Sequence, residues 1–436
     1  MGSGSLTRAV YPSKGSLQGN QNRTNRFPCR MGHRLDVLDT PPRSRATAPG
    51  SSKCGACLCT ETAHIGCVKT PLLPRSPMSS NSLNEGVPVA AHPPLFGVRR
   101  PLSCPTPVRT ALTAGDGAAL QVHHIAGGDK GPVILAPGTA MSALCFLTDT
   151  TEQSFAEYLA AEGFDIWLFD WRTSPYLAAH NQEYDFDDVA RYDWPAAIEH
   201  VREATGAAQV SVLAHCLSSP CMMLSLVRGY TDPGHIKAFV PSQVGLHLVM
   251  NKANRLKVSL GVDRLLPANR MVHHAQDTPR EGMWDLAVGF LAAVWPKSYS
   301  CDNPACHRHS ATYGDIVLHE KINDATHALM GELVPEVNSS FLKGVAPSSR
   351  ADDILDDDDR RHLDRLDVPM LLISGQENQM FVPEATERTW HMLHDALGAN
   401  IQRETFEGFG HLDCYLSGEA RRPIWERLAG FLENGG

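Results

Sequence analysis

The chain of 436 residues lacks several features that would place it in other protein classes. It has no run of about 18 or more apolar residues, so no membrane-spanning helix is predicted. No basic segment followed by an apolar stretch and a small-residue cleavage site is present, and we therefore expect no secretory signal. No G-x-G-x-x-G motif follows a first strand, so no flavin- or nucleotide-binding domain and no cofactor are predicted. With 42% hydrophobic and 20% charged residues, the composition is typical of a globular protein with one large core.

Acidic residues are scarce at one end of the chain only. Residues 1–110 contain 14 Lys and Arg but 4 Asp and Glu, whereas the whole chain has a net charge of −9. The remainder therefore carries about −19, which argues against nucleic acid as a partner, because nucleic-acid binding calls for basic patches.

Residues 1–106 are rich in Ser, Pro, Gly, Arg and Thr and show no sustained apolar periodicity. Such a segment buries too little surface to offset its ordering entropy, so we expect a disordered or non-native basic leader. Three alternatives stay open: a zinc site with His33 or His64 as extra ligands, a transit peptide, or synthesis that begins at Met78. The leader holds six of the twelve cysteines, namely Cys29, Cys54, Cys57, Cys59, Cys67 and Cys104.

From residue 107 onward, strands and helices are predicted to alternate, which indicates an α/β fold with a mainly parallel central sheet and helices on both faces. The core is expected to comprise 107–244 and 351–436, with a helical lid at 245–350 that contains an apolar helix at 283–295. Strands are predicted at 108–125 (two, joined at Gly115-Asp116-Gly117), 133–136, 164–169, 210–213, 236–240, 370–374 and 401–406, and helices at 155–161, 194–205 and 221–227.

The turn after the strand at 210–213 carries one reactive side chain, Cys216, between the small residues Ala214 and Ser218. A strand, a turn with a nucleophile and a helix form the G-x-S-x-G elbow, here with Cys in place of Ser. The pattern predicts acyl transfer through a thioester on Cys216. We expect the helix dipole and a nearby histidine to lower the pKa of this thiol. The alternative is a small buried cysteine after a core strand.

An elbow nucleophile needs an orienting residue and a histidine, in that chain order. The loop after the strand at 370–374 places Asn378 where the acid commonly stands, with Glu377 beside it as the alternative. An Asn can orient an imidazole as in Cys-His-Asn proteases. After the last strand, a glycine-rich loop at 408–413 contains His411, which we predict to be the general base.

Two backbone N–H groups are expected to stabilise the developing oxyanion. One is that of Leu217, directly after the nucleophile, and the other lies in the turn 137–140, with Thr139 favoured and Ser142 nearby. In the lid, Cys301 and Cys306 precede His307 and His309 in a compact cluster that allows zinc, a disulfide or plain packing. Packing or a conditional disulfide is favoured there, and no metal is expected.

Taken together, residues 107–434 resemble the α/β-hydrolase superfamily, and more narrowly the hydrolase-type domain beside or fused to cholesterol-oxidase-like (GMC) flavoproteins. Through His411-Leu412-Asp413 the chain also resembles acid lipases. Through 169–172 with a Cys elbow it resembles polyhydroxyalkanoate synthases, which use Cys, Asp and His, so that Asn378 departs from their pattern. The stretches that carry the closest resemblance are 128–136, 165–172, His215-Cys216, 301–308, 375–386 and 410–414.

These features predict a cytoplasmic, Cys-dependent α/β-hydrolase that cleaves an ester or thioester of a lipid-like acid through an acyl-Cys intermediate. The resemblance to the flavoprotein-associated domain implies a sterol-linked substrate and a flavin oxidoreductase as partner. Two alternatives remain open: an acyltransferase of the same fold, since thioesters persist long enough to meet other acceptors, and a non-catalytic lipid-binding or partner domain.

Overall fold

The computed structural model describes residues 95–265, 271–274, 283–294, 301–398 and 400–435. Residues 1–94 of the predicted leader, including the alternative start at Met78 and the possible zinc ligands, lie outside the described residues. Across the described ranges, none of the helices combines the length and the apolar character needed to cross a membrane.

Within the described ranges there are ten strands, eight of them in one sheet. They are β1 (Val108–Thr113), β2 (Ala119–Ile125), β3 (Pro132–Ala136), β4 (Asp165–Asp170), β5 (Val210–His215), β6 (Ile236–Ser242), β7 (Met271–His273), β8 (Glu336–Asn338), β9 (Met370–Gly375) and β10 (Ile401–Phe406).

The α-helices lie between the strands and in the segment 245–350. They are α1 (Phe155–Ala161), α2 (Phe186–Asp188), α3 (Trp194–Thr205), α4 (Ser218–Val227), α5 (Lys252–Ser259), α6 (Val262–Leu265), α7 (Met283–Val294), α8 (Pro304–Thr312), α9 (Asp324–Ala328), α10 (Met330–Leu333), α11 (Ser339–Ala351), α12 (Glu384–Leu397), α13 (Asp413–Leu416) and α14 (Glu426–Asn434).

The large sheet has the strand order β1-β2-β4-β3-β5-β6-β9-β10. Strands β1 and β2 pair antiparallel, as do β2 and β4, and the remaining neighbours pair in parallel. The central strands β3 and β5 are buried along their whole length, as expected for parallel strands covered by helices on both faces. This order, with an elbow after β5, is the α/β-hydrolase fold that the sequence predicts.

Strand direction brings the predicted site residues to one edge of the sheet. Parallel strands end on the same edge, and the segments that follow β3, β5, β9 and β10 contain Thr139, Cys216, Asn378 and His411. Residues far apart in the chain thus converge where α/β sheets bind their ligands.

The segment before β1 packs on the body of the protein. Leu95 is 1% exposed and belongs to the hydrophobic core. The guanidinium of Arg100 donates to the Glu157 carboxylate at 2.7 Å, and the backbone N–H of Ser103 donates to the same carboxylate at 2.6 Å. The folded part of the chain therefore includes residues from 95 onward, which the sequence assigns to the leader.

The segment 245–350 lies over the strand ends and contributes helices α5 to α11 and a two-stranded antiparallel sheet of β7 and β8. Helix α7 matches the predicted apolar helix. Val288 and Leu291 on this helix line a cavity, whereas Leu286 and Phe290 are 65% and 70% exposed.

Candidate active site

The turn after β5 holds Cys216 in the geometry of a nucleophile elbow. Its φ angle is 57°, in the left-handed region that few residues other than glycine adopt. The backbone N–H of Cys216 donates to the Ser242 carbonyl at 2.9 Å, and the N–H of Ser219 donates to the Cys216 carbonyl at 3.0 Å. Ala214 and Ser218 are both fully buried, so larger side chains would not fit. Such backbone strain, held by its surroundings, concentrates at functional sites.

The turn after β3 approaches this cysteine closely, and Gly138 makes the approach possible. A Cβ atom at Gly138 would lie 3.0 Å from Cys216 Cβ and 3.6 Å from Cys216 Sγ. The backbone N–H groups of Leu217 and Thr139 face the thiol and act to lower its pKa. The two amides expected to form an oxyanion hole therefore point at the same sulfur atom.

The prediction of a lowered thiol pKa is wrong. Burial raises the pKa of Cys216 to about 12 and outweighs the two amides that lower it. The side chain is 5% exposed, so the thiolate would lose most of its hydration. The resting Cys216 side chain is therefore a neutral thiol, closer in its acid-base behaviour to a serine hydroxyl than to an activated cysteine.

Asp170 at the end of β4 anchors the turn after β3. Its carboxylate accepts hydrogen bonds from the Ala143 N–H at 2.6 Å, the Gln121 side chain at 2.6 Å and the Ser142 hydroxyl at 3.1 Å. Burial would raise the pKa of Asp170, but His123, the Gln121 side chain and the Ala143 N–H lower it below its usual value. Ser142 is thus a hydrogen-bond donor to Asp170, and Asp170 fixes the position of the loop that carries Thr139.

His411 lines the same cavity as Cys216 and is 2% exposed. Burial lowers the pKa of His411 to about 3, so the imidazole is neutral and a weaker base than an exposed histidine. Its ring centroid lies 4.7 Å from that of His215. Its Nδ1 atom is buried and has no hydrogen-bond partner among the described residues.

The two candidates for the orienting residue occupy different environments. Asn378 is 2% exposed, but its Oδ1 accepts from the N–H groups of Met380 at 2.9 Å and Phe381 at 3.2 Å, and its Nδ2 donates to Gln243 at 3.0 Å. Glu377 is exposed. Neither side chain is hydrogen-bonded to His411 in the described structure.

The loops after β9 and β10 are nevertheless in direct contact. A Cβ atom at Gly375 would lie 2.1 Å from the Gly410 carbonyl oxygen, so only glycine fits there. The N–H of Glu377 donates to the Phe409 carbonyl at 2.9 Å. On the other side, the Asp413 carboxylate accepts from the N–H of Gly410 at 2.6 Å. These contacts fix the backbone on which His411 sits.

Two site residues were missed by sequence reasoning. Gln243 follows β6 with a φ angle of 75°, and its side chain bridges Asn378 and the N–H of Gly375, at 3.0 Å each. His215 packs against His411 with its ring tilted by 54°, and its Nδ1 lies 3.3 Å from the Ser242 hydroxyl. The position of His215 beside the nucleophile was a possible signal, whereas nothing in the local sequence marks Gln243.

A mostly apolar cavity of about 190 Å³ connects these groups. The core contributes Gly138, Thr139, Cys216, Leu217 and His411, and the segment 245–350 contributes the opposite walls, including Val288, Leu291, Tyr313 and Val345. A lysine, Lys257, also lines it, and burial lowers the pKa of that amine to about 8. The shape and lining suit an acyl chain rather than a polar substrate.

Several polar atoms around the cavity are buried without a partner within the described ranges. They include His411 Nδ1, His215 Nε2 and Thr139 Oγ1. Buried polar groups in native proteins are almost always hydrogen-bonded, so such exceptions call for an explanation. Their grouping beside Cys216 is typical of a site that completes its hydrogen bonds with a bound molecule.

Comparison with known proteins places the chain near lipases. No family model matches it. It is 32% identical over 126 residues to the lipase lipl-3 of Caenorhabditis elegans, covering 24% of this chain and 30% of that protein. It is 30% identical over 124 residues to the lysosomal acid lipase/cholesteryl ester hydrolase of Rattus norvegicus, covering 24% and 31%. Each match thus spans about a third of these relatives' length.

Among solved structures, the chain is similar to a thermophilic esterase from Thermogutta terrifontis, with a TM-score of 0.49, 13% identity, and coverage of 75% of this chain and 99% of that one. A second is the esterase EaEST from Exiguobacterium antarcticum, with a TM-score of 0.48, 16% identity, and coverage of 74% and 99%. The class defined by the sheet order and the elbow is the α/β-hydrolase fold, here with cysteine at the nucleophile position.

Proposed function

We propose that this protein hydrolyses carboxylic esters of lipid-like acids through a covalent acyl intermediate on Cys216. The proposal rests on one observation: three groups meet at one cavity. They are a strained elbow cysteine, two backbone amides that face its sulfur, and a neutral buried histidine. The similarity to lipases over part of the chain supports the same reaction class.

Because the Cys216 thiol and the His411 imidazole are both neutral at rest, the mechanism we propose is general-base catalysis. His411 would accept the thiol proton as the sulfur of Cys216 attacks the ester carbonyl carbon. The carbonyl oxygen would take the negative charge between the amides of Thr139 and Leu217. His411 would then pass the proton to the departing alcohol, which leaves a thioester. Water, deprotonated by the same imidazole, would attack that thioester and release the acid and the thiol.

For the third member we propose Asn378 as a positioning residue rather than Glu377. Asn378 is buried on the loop that packs against the loop of His411, and Gln243 holds its amide, whereas Glu377 is exposed. Substitution of Asn378 by Ala is expected to lower kcat more than Glu377→Ala. Rescue by Asn378→Asp would support an electrostatic role toward the imidazole.

The apolar cavity favours an acyl group of moderate length over a polar acid. The resemblance to the domain beside cholesterol-oxidase-like flavoproteins extends the proposal to sterol esters and to a flavin oxidoreductase as partner. A cytoplasmic location, which would keep Cys216 reduced, belongs to the same proposal. The sterol part of the proposal is tested by comparing cholesteryl esters with p-nitrophenyl esters of matched chain length. An equal or lower kcat/KM for the cholesteryl esters would contradict a sterol-linked substrate.

The decisive experiment combines p-nitrophenyl esters of increasing chain length with intact-mass measurement. Wild-type protein is expected to show a burst of p-nitrophenol and an acyl adduct on Cys216. Cys216→Ala is expected to lose at least roughly 1000-fold in kcat/KM. Cys221→Ala is the matched control, because Cys221 is a fully buried cysteine in helix α4, and it should keep both burst and adduct.

Three outcomes would contradict the proposal. Full activity in Cys216→Ala removes cysteine catalysis from the proposal. Neither burst nor adduct in wild type favours a lipid-binding role. If the adduct forms but yields products faster with added alcohols or thiols than with water, the protein is an acyltransferase.

A further inference from the structure

A group of four metal-binding side chains lies in the segment 245–350, outside the residues that line the catalytic cavity. We propose that Cys301, Cys306, His319 and His327 bind a structural Zn²⁺ ion. One ligand atom from each of the four lies within 4.8 Å of every other. The sequence alone groups the two cysteines with His307 and His309 and predicts no metal there.

The distances suit tetrahedral zinc. Zinc lies about 2.3 Å from thiolate sulfur and about 2.0–2.1 Å from imidazole nitrogen, which places ligand atoms roughly 3.3–3.8 Å apart in a tetrahedron. Cys306 Sγ and His327 Nε2 are already 3.3 Å apart. The remaining atoms need to move inward by about 1 Å or less on average to reach this geometry.

The order and spacing of the ligands also fit zinc. They follow the pattern Cys-x4-Cys-x12-His-x7-His, two sulfur and two nitrogen ligands with the cysteine pair first, as in many structural zinc sites. The last spacing is longer than the three to five residues common in zinc fingers. Here, Cys306 lies in helix α8 and His327 in helix α9, so two separate helices supply the ligands.

Neighbouring groups support the ligands from outside. His307 Nε2 lies 2.7 Å from the carbonyl oxygen of Cys301, and Asn303 donates to the carbonyl of His327 at 2.9 Å while it also caps helix α8. Such outer contacts orient the ligands of a metal site. Cys306 is buried and the other three ligands are half-buried, which leaves the site shielded from water.

A zinc ion there would stabilise the wall of the catalytic cavity. Helix α8 carries Cys306 at its third position and Ala311 and Thr312, which line the cavity, at its end. Crosslinking of this helix to α9 would hold that wall in place. With four protein ligands the site is closed, so its role is structural and not catalytic.

The test uses the full-length reduced protein, stripped of metal and then titrated with ZnCl2 or CoCl2. We expect uptake of a zinc ion that is retained on dialysis, a Co²⁺ spectrum of tetrahedral type with thiolate charge-transfer bands, and a higher Tm with zinc than without it. Absence of uptake by the reduced wild type, or a Cys301–Cys306 disulfide in the protein isolated under reducing conditions, would overturn the proposal.

Variants assign the metal to this cluster and not to the cysteines before residue 95. Cys301→Ser and His327→Gln are each expected to weaken zinc binding at the cluster by more than roughly 100-fold, since loss of even an outer partner costs about 10–100-fold. Cys104→Ser, which alters another half-buried cysteine, is the control and should bind as wild type does. Retention of the thiolate–cobalt bands by both ligand variants would place the metal elsewhere and refute the assignment.

Discussion

The acid-base state of Cys216 can be tested by alkylation with iodoacetamide across pH 6 to 10. Burial raises the pKa of this thiol from 9.0 to about 12. Each pH unit changes the thiolate fraction tenfold, so a rise of three units lowers it about 1000-fold relative to an ordinary thiol. Because the pKa of His411 is lowered to about 3, no imidazolium is present in this range to stabilise a thiolate.

The rate of Cys216 alkylation is therefore expected to rise about tenfold per pH unit up to pH 10 without levelling off. Peptide mass spectrometry after timed quenching measures the adduct at Cys216 specifically, and Cys216→Ala identifies the background. An unstructured cysteine peptide in the same tube is the control, since its rate should level off above about pH 8.5.

A plateau of reactivity between pH 6 and 8 would refute this reasoning. Such a plateau is the signature of a thiolate–imidazolium pair, in which the pKa of the cysteine falls below about 7. The absolute rate is less informative than the shape of the profile, because burial also slows access of the reagent. A plateau would restore the expectation of an activated cysteine that the elbow pattern suggests.

Three further predictions concern the surroundings of the nucleophile. Gly138→Ala places a Cβ 3.0 Å from Cys216 Cβ and should displace an oxyanion amide. We expect a loss of roughly 100-fold in kcat with little change in Tm, and an unchanged kcat would contradict this prediction. Asp170→Asn removes the charge that accepts three hydrogen bonds and should cost about 2–3 kcal/mol in urea unfolding; a loss under 1 kcal/mol would count against the anchor role. The lowered pKa of His411 means that the unfolded chain binds the extra proton between about pH 6.5 and 3, so the free energy of unfolding decreases by about 1.4 kcal/mol for each unit by which the pH is lowered across this range. His411→Gln should flatten the dependence of unfolding free energy on pH by that slope, and an unaltered slope would show that burial does not set this pKa.

Local patterns were sufficient to predict much of the fold. Helices α1 and α3 and strand β10 have the predicted bounds, because capping residues and turn residues mark their ends: Ser154 caps α1 and Gly206 ends α3 with a φ angle of 69°. Strand β6 continues two residues beyond its predicted end at 240, through Pro241 and Ser242, because pairing with β5 and β9 extends it. Such tertiary pairing is invisible to local periodicity.

The environment of the candidate site could not be predicted in the same way. The pKa of Cys216 depends on burial by segments distant in the chain, among them the walls from 245–350. The grouping of His319 and His327 with Cys301 and Cys306 depends on tertiary packing, including that of helices α8 and α9. The neighbouring His307 and His309 instead contact the carbonyls of Cys301 and Val334. Chain order predicted the candidate pair, but the chemistry of its members depends on tertiary structure.

The left-handed backbone at Cys216 limits which nucleophiles can evolve or be engineered at this position. At a φ angle of 57°, a residue with an unbranched Cβ fits, whereas a β-branched side chain meets the adjacent backbone. Serine and cysteine can therefore replace each other with almost no cost to the fold, but threonine cannot. In the proposed mechanism, a thiol with a pKa of about 12 would use the same neutral base as a hydroxyl. Exchange between the two would then be a single-step route between oxygen-ester and thioester intermediates on an otherwise unchanged scaffold.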